Sequence, residues 1–344
     1  MSGGIAQLVA IGAQDAHIVG QPEVSFFRSN YKRHTNFAQT VERQVIQGNP
    51  VANGMSTVRF ERKGDLLGFV YLAPRSGTAS YSASQWLGQV AKVEWLVGGQ
   101  VIDTQDANFS QFVAPTVMTQ NLTKSITGYG EKTSRFYPLR FSFCENWQSA
   151  IPLVALQYHD VEIRITWGGS LSGAWECYAH FIYLDTDERS SLAATSQNML
   201  ITQTQKSVAS SSTIQELNLN HPVKYLAAAD GSDLAIAAND NKIKLQINGT
   251  DVTDFKYADP HYTAVSEYYH TCASVSAGAD NKKRFIYPFC FETGKLQPTG
   301  SLNFSRVDSA RLVSETASHA DDIYAVNYNI MRIESGMGGL MYSN

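Results

Sequence analysis

The chain has 344 residues, of which 43% are hydrophobic and 17% charged, a composition typical of a globular protein with room for two ordinary domains. A formal net charge of -4 at pH 7 excludes the broad basic surface with which proteins gather nucleic acid or an anionic membrane. No apolar run approaches the ~20 residues of a membrane-spanning helix, and no basic residue precedes Arg28 as it would in a secretory signal, so we expect a soluble protein made in the cytosol.

The four cysteines indicate a reducing compartment. Cys144, Cys177, Cys272 and Cys290 form neither a CxxC pair nor another metal-ligand spacing. Sparse cysteines of this kind are more typical of buried thiols than of a disulfide framework. We therefore predict four free thiols.

Residues 1–22 precede the first strand signal. Ile5, Leu8 and Val9 lie at helical spacing, and a Gly-Gln-Pro sequence ends the segment. A segment this short is either a frayed terminus or an arm that docks on a partner. Its apolar side chains and the turn-like sequence GAQDAHIVGQP favour the arm. The candidate assembly residues are Ile5, Leu8, Val9, Ile11, Gln14 and Asp15.

The first half of the chain is predicted to be mainly β-sheet. Strand signals begin at Glu23 with EVSFFRSNYKRHTNF and continue through QTVERQVIQ, STVRFERKGDLLGFVYL and VAKVEWLVGGQVID. Two glycines between apolar runs predict a two-residue hairpin at Gly98. The segment that starts at Asp106, DANFSQFVAPTVMTQ, is the best helical candidate, although Pro115 interrupts it.

Residues 135–167 contain the clearest strand. From Gln157 to Trp167 the side chains alternate, with Val161, Ile163 and Ile165 on one face and charged or polar side chains on the other. A period of two predicts a half-buried β-strand and excludes a helix.

After Leu184 the composition changes, because LDTDERSSLAATSQNML is acidic, small and polar. We interpret it as a linker with one helical turn that begins at an Asp cap. Strand signals return in TIQELNL, HPVKYLAAA, KIKLQINGTDV, RFIYPFCF, SLNFSRVDSARLV and DIYAVNYNIMRI, with a possible helix in residues 260–270. The final SGMGGLMYSN is predicted to form an irregular tail.

Separate features of the first half recur about 150 residues later. The Tyr-Pro pair at Tyr137 returns at Tyr287, and the tight turn at Gly98 returns at Asn248, both at an offset of 150. Many short strands without a βαβ rhythm favour antiparallel sandwiches. We predict an all-β fold of two tandem eight-stranded antiparallel jelly rolls, a double jelly roll, with short helices in loops. The predicted parts are an arm (1–22), a first roll (23–186), a linker (187–206) and a second roll with its C-terminal tail (207–344).

No motif predicts catalysis. His319 and Asp321 have the first spacing of the iron-binding facial triad of jelly-roll oxygenases, but no histidine follows them. His159 lies on the apolar face of its strand, as a hydrogen-bonded core histidine would. The acids of LDTDER lack EF-hand spacing, and the hydrolase, P-loop and dinucleotide-binding signatures are absent. We therefore predict no enzyme activity, no cofactor and no metal site.

Ordered motifs over the whole length resemble the major capsid proteins of the nucleocytoplasmic large DNA viruses, the double jelly-roll family of iridoviruses, phycodnaviruses and mimivirus relatives. The motifs are LVAIGAQDAHIVGQPEVSFFRSNYKRHTNFA, GGQVID, IPLVALQYHDVEIRI, FIYLDTDER, LNLNHPVKYL, KIKLQINGTD, LQPTGSLNFSRVD and YAVNYNIMRIESGMGGLMYSN. Members of this family usually run longer, with extended outer loops, whereas the inter-strand segments here are short.

The resemblance implies a structural role in the virion capsid. Two rolls repeated by a threefold axis would give six similar lobes, so that a homotrimer forms a pseudo-hexagonal capsomer of an icosahedral shell. The implied partners are its own copies, neighbouring capsomers, minor capsid proteins and the internal membrane side that the arm would face, without direct contact with nucleic acid. The alternatives are a minor double jelly-roll virion subunit and a glycan-binding jelly-roll protein. A cupin-like enzyme is disfavoured because the histidines of its metal site are missing.

Overall fold

The computed structural model describes residues 3–76, 79–118, 133–230, 234–238, 240–271 and 283–343. The chain divides into a short N-terminal segment, Met1–Asn36, and a large body, Phe37–Asn344. The N-terminal segment contains the helices Gly3–Val9 and Ala16–Val19, and neither helix has a buried side chain.

Roll 1 (residues 37–184) is built from two antiparallel sheets. Its strands are β1 Phe37–Gln44, β2 Ile46–Gln47, β3 Met55–Arg59, β4 Leu66–Pro74, β5 Val90–Val97, β6 Gln100–Asp106, β7 Tyr137–Pro138, β8 Ile151–Pro152, β9 Val161–Trp167 and β10 Trp175–Leu184. One sheet has the order β1-β10-β4-β7, with β8 also beside β4, and the other has the order β2-β3-β9-β5-β6. In β9 every second side chain is buried, as its alternating sequence predicts.

Roll 2 (residues 197–340) repeats this arrangement. Its strands are β11 Gln197–Ser207, β12 Ile214–Glu216, β13 Pro222–Ala228, β14 Lys242–Ile247, β15 Thr250–Asp251, β16 Lys256–Tyr257, β17 Phe285–Pro288, β18 Leu302–Asn303, β19 Ala310–Ser314, β20 Ile323–Glu334 and β21 Met337–Leu340. The sheet orders are β11-β20-β13-β17, with β18 beside β13 and β21 beside β20, and β12-β19-β14-β15, with β16 beside β14.

The two rolls share the order of eight equivalent strands, four in each sheet. The order β1-β10-β4-β7 corresponds to β11-β20-β13-β17, and β3-β9-β5-β6 corresponds to β12-β19-β14-β15. Each roll therefore has two facing sheets that share four equivalent strands with their counterparts in the other roll, joined by jelly-roll connections. The predicted double jelly roll is confirmed.

The repeated hairpin turn is also confirmed in its backbone geometry. Gly98 and Gly99 have φ values of +58° and +82°, and Asn248 and Gly249 have φ values of +49° and +78°. Two consecutive left-handed residues form the hairpin turn whose twist matches that of the flanking strands. Glycine and asparagine tolerate this conformation better than other residues, which explains why both turns use them.

Helices are short and lie between strands. The α-helical segments of the body are Ala83–Gln89, Ala114–Val117, Ser142–Glu145, Thr186–Ala194 and Ser266–His270, with the single turn Ala258–Pro260. The π-helices are Phe109–Val113 and His261–Val265, and the 3₁₀ turns are Trp147–Ser149, Leu153–Ala155 and Phe304–Arg306. Pro115 lies in the first turn of Ala114–Val117, where proline fits, so it does not interrupt the helical segment. The predicted Asp cap is Asp185, whose carboxylate accepts the Thr186 N–H at 2.8 Å.

Each roll has its own core between its two sheets. The roll 1 core contains Trp86, Trp95, Trp167 and Trp175. The roll 2 core is made of smaller side chains, among them Leu226, Leu245, Phe285, Phe304 and Leu312. Ile201, Met331 and Ile333 of roll 2 belong to the roll 1 core, so burial of apolar surface continues across the junction.

Three sequence-based expectations differ from the structure. Residues 23–36 form no strand, and the first strand begins at Phe37, because alternation alone supplies no backbone partner. The second half of the predicted linker is strand β11, whose polar side chains hydrogen-bond across the junction and so give no apolar signal. The predicted irregular tail contains β21, which pairs with β20 through a turn with positive φ at Ser335 and Gly336.

Candidate assembly surfaces

The N-terminal segment carries all six candidate residues from the sequence. Ile5, Leu8 and Val9 lie on the helix Gly3–Val9, and Leu8 is 76% exposed. Ile11 is also exposed. The structure thus places four large apolar side chains at the surface of one short segment, where each adds a cost in water.

A turn follows this helix, as the sequence predicts. The Asp15 carboxylate accepts the Gly12 N–H at 2.7 Å, and the Gln14 carbonyl accepts the His17 N–H at 3.2 Å. Asp15 and Gln14 therefore shape the backbone of the segment. The sequence predicts a strand that contains Phe26 and Phe27, but these residues form no strand and both are more than 90% exposed. They extend the exposed apolar surface of Met1–Asn36 beyond the six candidates.

The candidate metal-site residues have structural roles. His319 is fully buried, and burial lowers the pKa of its imidazole. The Asp321 carboxylate accepts the Ile236 N–H at 2.8 Å. His159, predicted to be hydrogen-bonded, contacts the Gly338 carbonyl through Nδ1 at 2.8 Å and is half-buried. Across the described ranges, no group of three or more His, Cys, Asp or Glu side chains is arranged to hold a metal ion.

The junction between the rolls has an apolar part formed by residues 109–118, which we call the first helical segment. Phe109, Phe112 and Val117 of this segment are buried, and they pack against the face of the β13-β17-β20 sheet that points away from the roll 2 core. We call this the outer face of roll 2, and it carries Tyr225, Ala227, Ile286, Tyr324 and Val326. The Arg284 Nε–H donates to the Phe112 carbonyl at 3.1 Å, which ties the segment to roll 2.

Strands β6 and β11 form the polar part of the junction. The Asp103 carboxylate accepts the Thr204 N–H at 2.7 Å, and the Gln203 side chain donates to the Ile102 carbonyl. Burial raises the pKa of the Asp103 carboxyl to about 6, while the hydrogen bonds from Thr204, Gln105 and Thr104 oppose that shift. The sequence of β11 is polar because its side chains pair with roll 1.

Glu145 is a second buried carboxyl at this junction. Burial raises its pKa to about 7, while Lys224 of roll 2 and a hydrogen bond from Thr202 favour the charged form. Lys224 is buried as well, and its ammonium donates to the Thr293 carbonyl at 3.0 Å. The junction therefore contains carboxyls that titrate within the physiological pH range.

The C-terminal hairpin completes the junction. The Tyr158 N–H donates to the Gly336 carbonyl at 2.9 Å, and β21 runs beside residues of roll 1. A Cβ atom at Gly338 would lie 2.7 Å from Leu156 Cδ2, so any larger residue would require the Leu156 side chain to shift. The glycine-rich sequence of this hairpin thus serves packing and is not a sign of disorder.

Roll 2 exposes aromatic side chains on residues 261–270, which we call the second helical segment. Tyr268 and Tyr269 are 80% and 70% exposed, and their rings meet edge to face at 4.9 Å. His270 Nδ1 lies 3.1 Å from the carbonyls of Cys290 and Phe291, which holds the segment against the next loop. Phe291 is itself exposed.

Roll 1 exposes aromatic side chains on the face of the β1-β10-β4-β7 sheet that points away from its core, which we call the outer face of roll 1. The Tyr71 ring stacks on Tyr178 at 5.2 Å and meets Phe136 edge to face at 5.9 Å. Phe69 stacks on His180 at 4.5 Å. Phe69 and Phe136 are exposed, so this is an aromatic surface with one side open to solvent.

Family models match most of the chain. Residues 25–199 match the major capsid protein N-terminus, and residues 235–339 match the large eukaryotic DNA virus major capsid protein. The major capsid protein of Pyramimonas orientalis virus is 35% identical, and that of Paramecium bursaria Chlorella virus 1 is 30% identical, each over the full length of both chains. The chain belongs to the major capsid protein family of large eukaryotic DNA viruses.

The family's solved structures have the same fold. The quasi-atomic model of the PBCV-1 virus capsid superposes with a TM-score of 0.75 at 24% identity, covering 93% of this chain and 100% of that one. The Faustovirus major capsid protein gives a TM-score of 0.62 at 11% identity, covering 94% of each chain. At these identities the likeness shows the fold alone.

As a member of the major capsid protein family, the chain has a structural role in the virion and is not an enzyme. The alignment with the Pyramimonas orientalis virus protein extends over 401 positions, against 344 residues here. The relative therefore has additional residues, in line with the short inter-strand segments of this chain. No helix among the described residues is long and apolar enough to cross a bilayer.

Sequence reasoning missed both aromatic surfaces of the body. Period-two patterns identify which side chains face a core, but the outer faces of both sheets also carry apolar residues. One signal was available in the repeat itself. The two stretches FSQFVAPTV, from Phe109, and HYTAVSEYY, from His261, occupy equivalent places in the repeat. The first stretch is mainly apolar, whereas the second carries three tyrosines. This difference between equivalent segments distinguishes a covered surface from an open one.

Proposed function

We propose that the chain forms homotrimeric, pseudo-hexagonal capsomers that tile an icosahedral shell. The observation that carries this proposal is the shared order of eight equivalent strands in the two rolls of one chain. Three copies around a threefold axis supply six similar lobes, and six similar lobes pack as a near-hexagonal tile. Trimer contacts would also cover β1, an edge strand of its sheet with mostly exposed side chains.

Light scattering combined with negative-stain microscopy of the purified protein tests this proposal. We expect a particle with three times the chain mass of 37.9 kDa and a hexagonal outline in threefold views. A folded chain that stays monomeric at micromolar concentration contradicts it. A folded monomer that binds to a glycan array would instead support the glycan-binding alternative.

We also propose that residues 1–22 form an assembly arm that contacts other parts of the particle: neighbouring capsomers, minor capsid proteins and the internal membrane side. The exposed Ile5, Leu8, Val9 and Ile11 support this role, because apolar side chains gain from being covered. Ordering such an arm costs roughly 1–2 kcal/mol of backbone entropy per residue, so its contacts would have to be extensive.

Finally, we propose that the protein is made in the reducing cytoplasm of the host. Cys144, Cys177 and Cys290 are buried free thiols, and burial raises the pKa of each, which keeps them unreactive. Cys272, the fourth predicted thiol, lies outside the described residues. Thiol titration of freshly isolated, denatured and unreduced protein should count four groups, and a lower count would contradict the proposal.

A further inference from the structure

The two helical segments are structural equivalents at an offset of 152 residues. Each begins with a five-residue π-helix, Phe109–Val113 or His261–Val265, and continues directly into an α-helix. In each, the first α-helical residue donates its N–H to the first carbonyl of the π-helix, from Ala114 to Phe109 and from Ser266 to His261. π-Helices are rare, so this shared irregularity sets the alignment residue by residue.

Equivalent positions differ in what covers them. In the first segment Phe112, Val113 and Val117 are buried against the outer face of roll 2. Their counterparts Ala264, Val265 and Tyr269 are exposed, and so is Tyr268, the counterpart of the buried Thr116. The second segment thus presents the surface that the first segment buries.

The outer face of roll 1 corresponds in register to the outer face of roll 2. Tyr71 pairs with Tyr178 across β4 and β10, as Tyr225 pairs with Val326 across β13 and β20. One strand further, Tyr137 pairs with Leu72, as Tyr287 pairs with Leu226. Phe136 and Ile286 therefore occupy the same place on the two outer faces. The aromatic residues Tyr71, Tyr178 and Phe136 on roll 1 therefore correspond to residues of roll 2 that contact the first helical segment.

From this correspondence we propose that the second helical segment of one copy packs on the outer face of roll 1 of a second copy. The contact repeats between chains the packing that the first segment makes within the chain. It joins two different surfaces, so it is heterologous. Three such contacts close into a ring if roll 1 and roll 2 are related by about one sixth of a turn and each contact repeats that rotation. This inference rests on the proposed trimer and names the surfaces that build it.

The chemistry of the two surfaces suits a contact that forms after folding. Tyrosine supplies a large apolar area with a hydroxyl that tolerates water, whereas the first segment, which is covered within the chain, uses phenylalanine and valine. The Phe109 ring lies 5.6 Å from Tyr324, and the counterpart positions are His261 and Glu176. In the proposed contact an imidazole would therefore face a carboxylate. Polar groups therefore replace an aromatic pair at the edge of the contact, as in the rim of an interface.

The test is the mass of the full chain with Tyr268→Ala and Tyr269→Ala combined, measured by light scattering across a dilution series. Because both side chains are largely exposed, we expect an unchanged melting profile for the monomer but roughly 100-fold weaker trimerisation, as for central aromatic residues of an interface. A second variant, Tyr71→Ala with Tyr178→Ala, should weaken the trimer in the same way. Trp147 is similarly exposed but lies on neither surface, so Trp147→Ala should leave the trimer intact.

The outcomes separate this inference from the proposed function. If the unmodified protein is monomeric, the trimer itself fails. If the unmodified protein is trimeric and the Tyr268 and Tyr269 double variant trimerises equally well, the trimer stands and the assigned surfaces are wrong. If the Trp147→Ala control dissociates as readily as the double variant, the loss is not specific to the surface and the assignment is also overturned.

Discussion

The two helical segments share a backbone and differ in whether their partner lies in the same chain. The first segment packs on roll 2 with Phe109, Phe112 and Val117, all buried. The second segment has the same π-to-α conformation but exposes Val265, Tyr268 and Tyr269. The two segments therefore keep the same backbone fold. Their side chains differ because the first segment is covered within the chain and the second is open to solvent. The difference between the copies shows which surfaces are occupied within one chain and which are open.

The largest expected effect is on the covered segment. Phe112→Ala should destabilise the body by about 3–5 kcal/mol, because it leaves a cavity between the rolls. Tyr268→Ala, an aromatic-to-alanine change on the exposed segment, should stay within about 0.5 kcal/mol in the monomer. Urea denaturation measures both. Equal costs at the two positions would contradict the contrast between covered and open segments.

Equivalent leucines in the two cores should cost similar amounts of stability when truncated. Leu72 and Leu226 occupy the same register position and are both fully buried. Leu72→Ala and Leu226→Ala should each cost about 2–5 kcal/mol, since each leaves a cavity in its own core. The double variant should equal the sum within about 0.5 kcal/mol, because the residues belong to separate cores. Strong non-additivity in thermal unfolding would mean that the cores are not independent.

The junction should make stability depend on pH in a direction set by Glu145. Its folded pKa of about 7 lies above the ordinary value of 4.5, so the folded state keeps a proton that the unfolded state has lost. The stabilising contribution is present below pH 4.5 and is lost as the pH rises through 7. At about 1.4 kcal/mol per pKa unit, the change is on the order of 3 kcal/mol.

Glu145→Gln should reduce this pH slope, because the amide does not titrate. Asp103, whose pKa is raised to about 6, contributes in the same direction, so some slope should remain in the variant. The check is the free energy of unfolding from pH 4.5 to 8. A variant slope as steep as that of the parent would show that Glu145 is not its source.

The smallest expected effect on the stability of the folded chain concerns the arm. Deleting residues 1–22 should leave the melting temperature and the trimer nearly unchanged while abolishing closed shells, because the helices of this segment bury no side chain. Deleting residues 1–36, up to the start of β1, is the matched control and should fold equally well. If either truncated chain fails to fold or trimerise, the segment belongs to the body and is not an assembly arm.

The sequence by itself determined the fold class and the duplication. Strand β9 followed from strict alternation, and the turns at Gly98 and Asn248 followed from residue types that tolerate positive φ. These features are local, since they depend on the pleat of one strand or on the backbone of two residues. For the same reason the helical character of both segments around Pro115 and Pro260 could be predicted.

Only the tertiary structure decided which strands exist at the edges and which surfaces are covered. Residues 23–36 have a strand-like sequence but form no strand, whereas β11 has a polar sequence and forms a long one, because a strand depends on its backbone partner. The burial of Phe112 and the exposure of Tyr269 could likewise not be predicted, because local periodicity carries no information on where the other roll lies. Contacts between distant parts of the chain arise from the packing of whole sheets, and no short stretch of sequence encodes them.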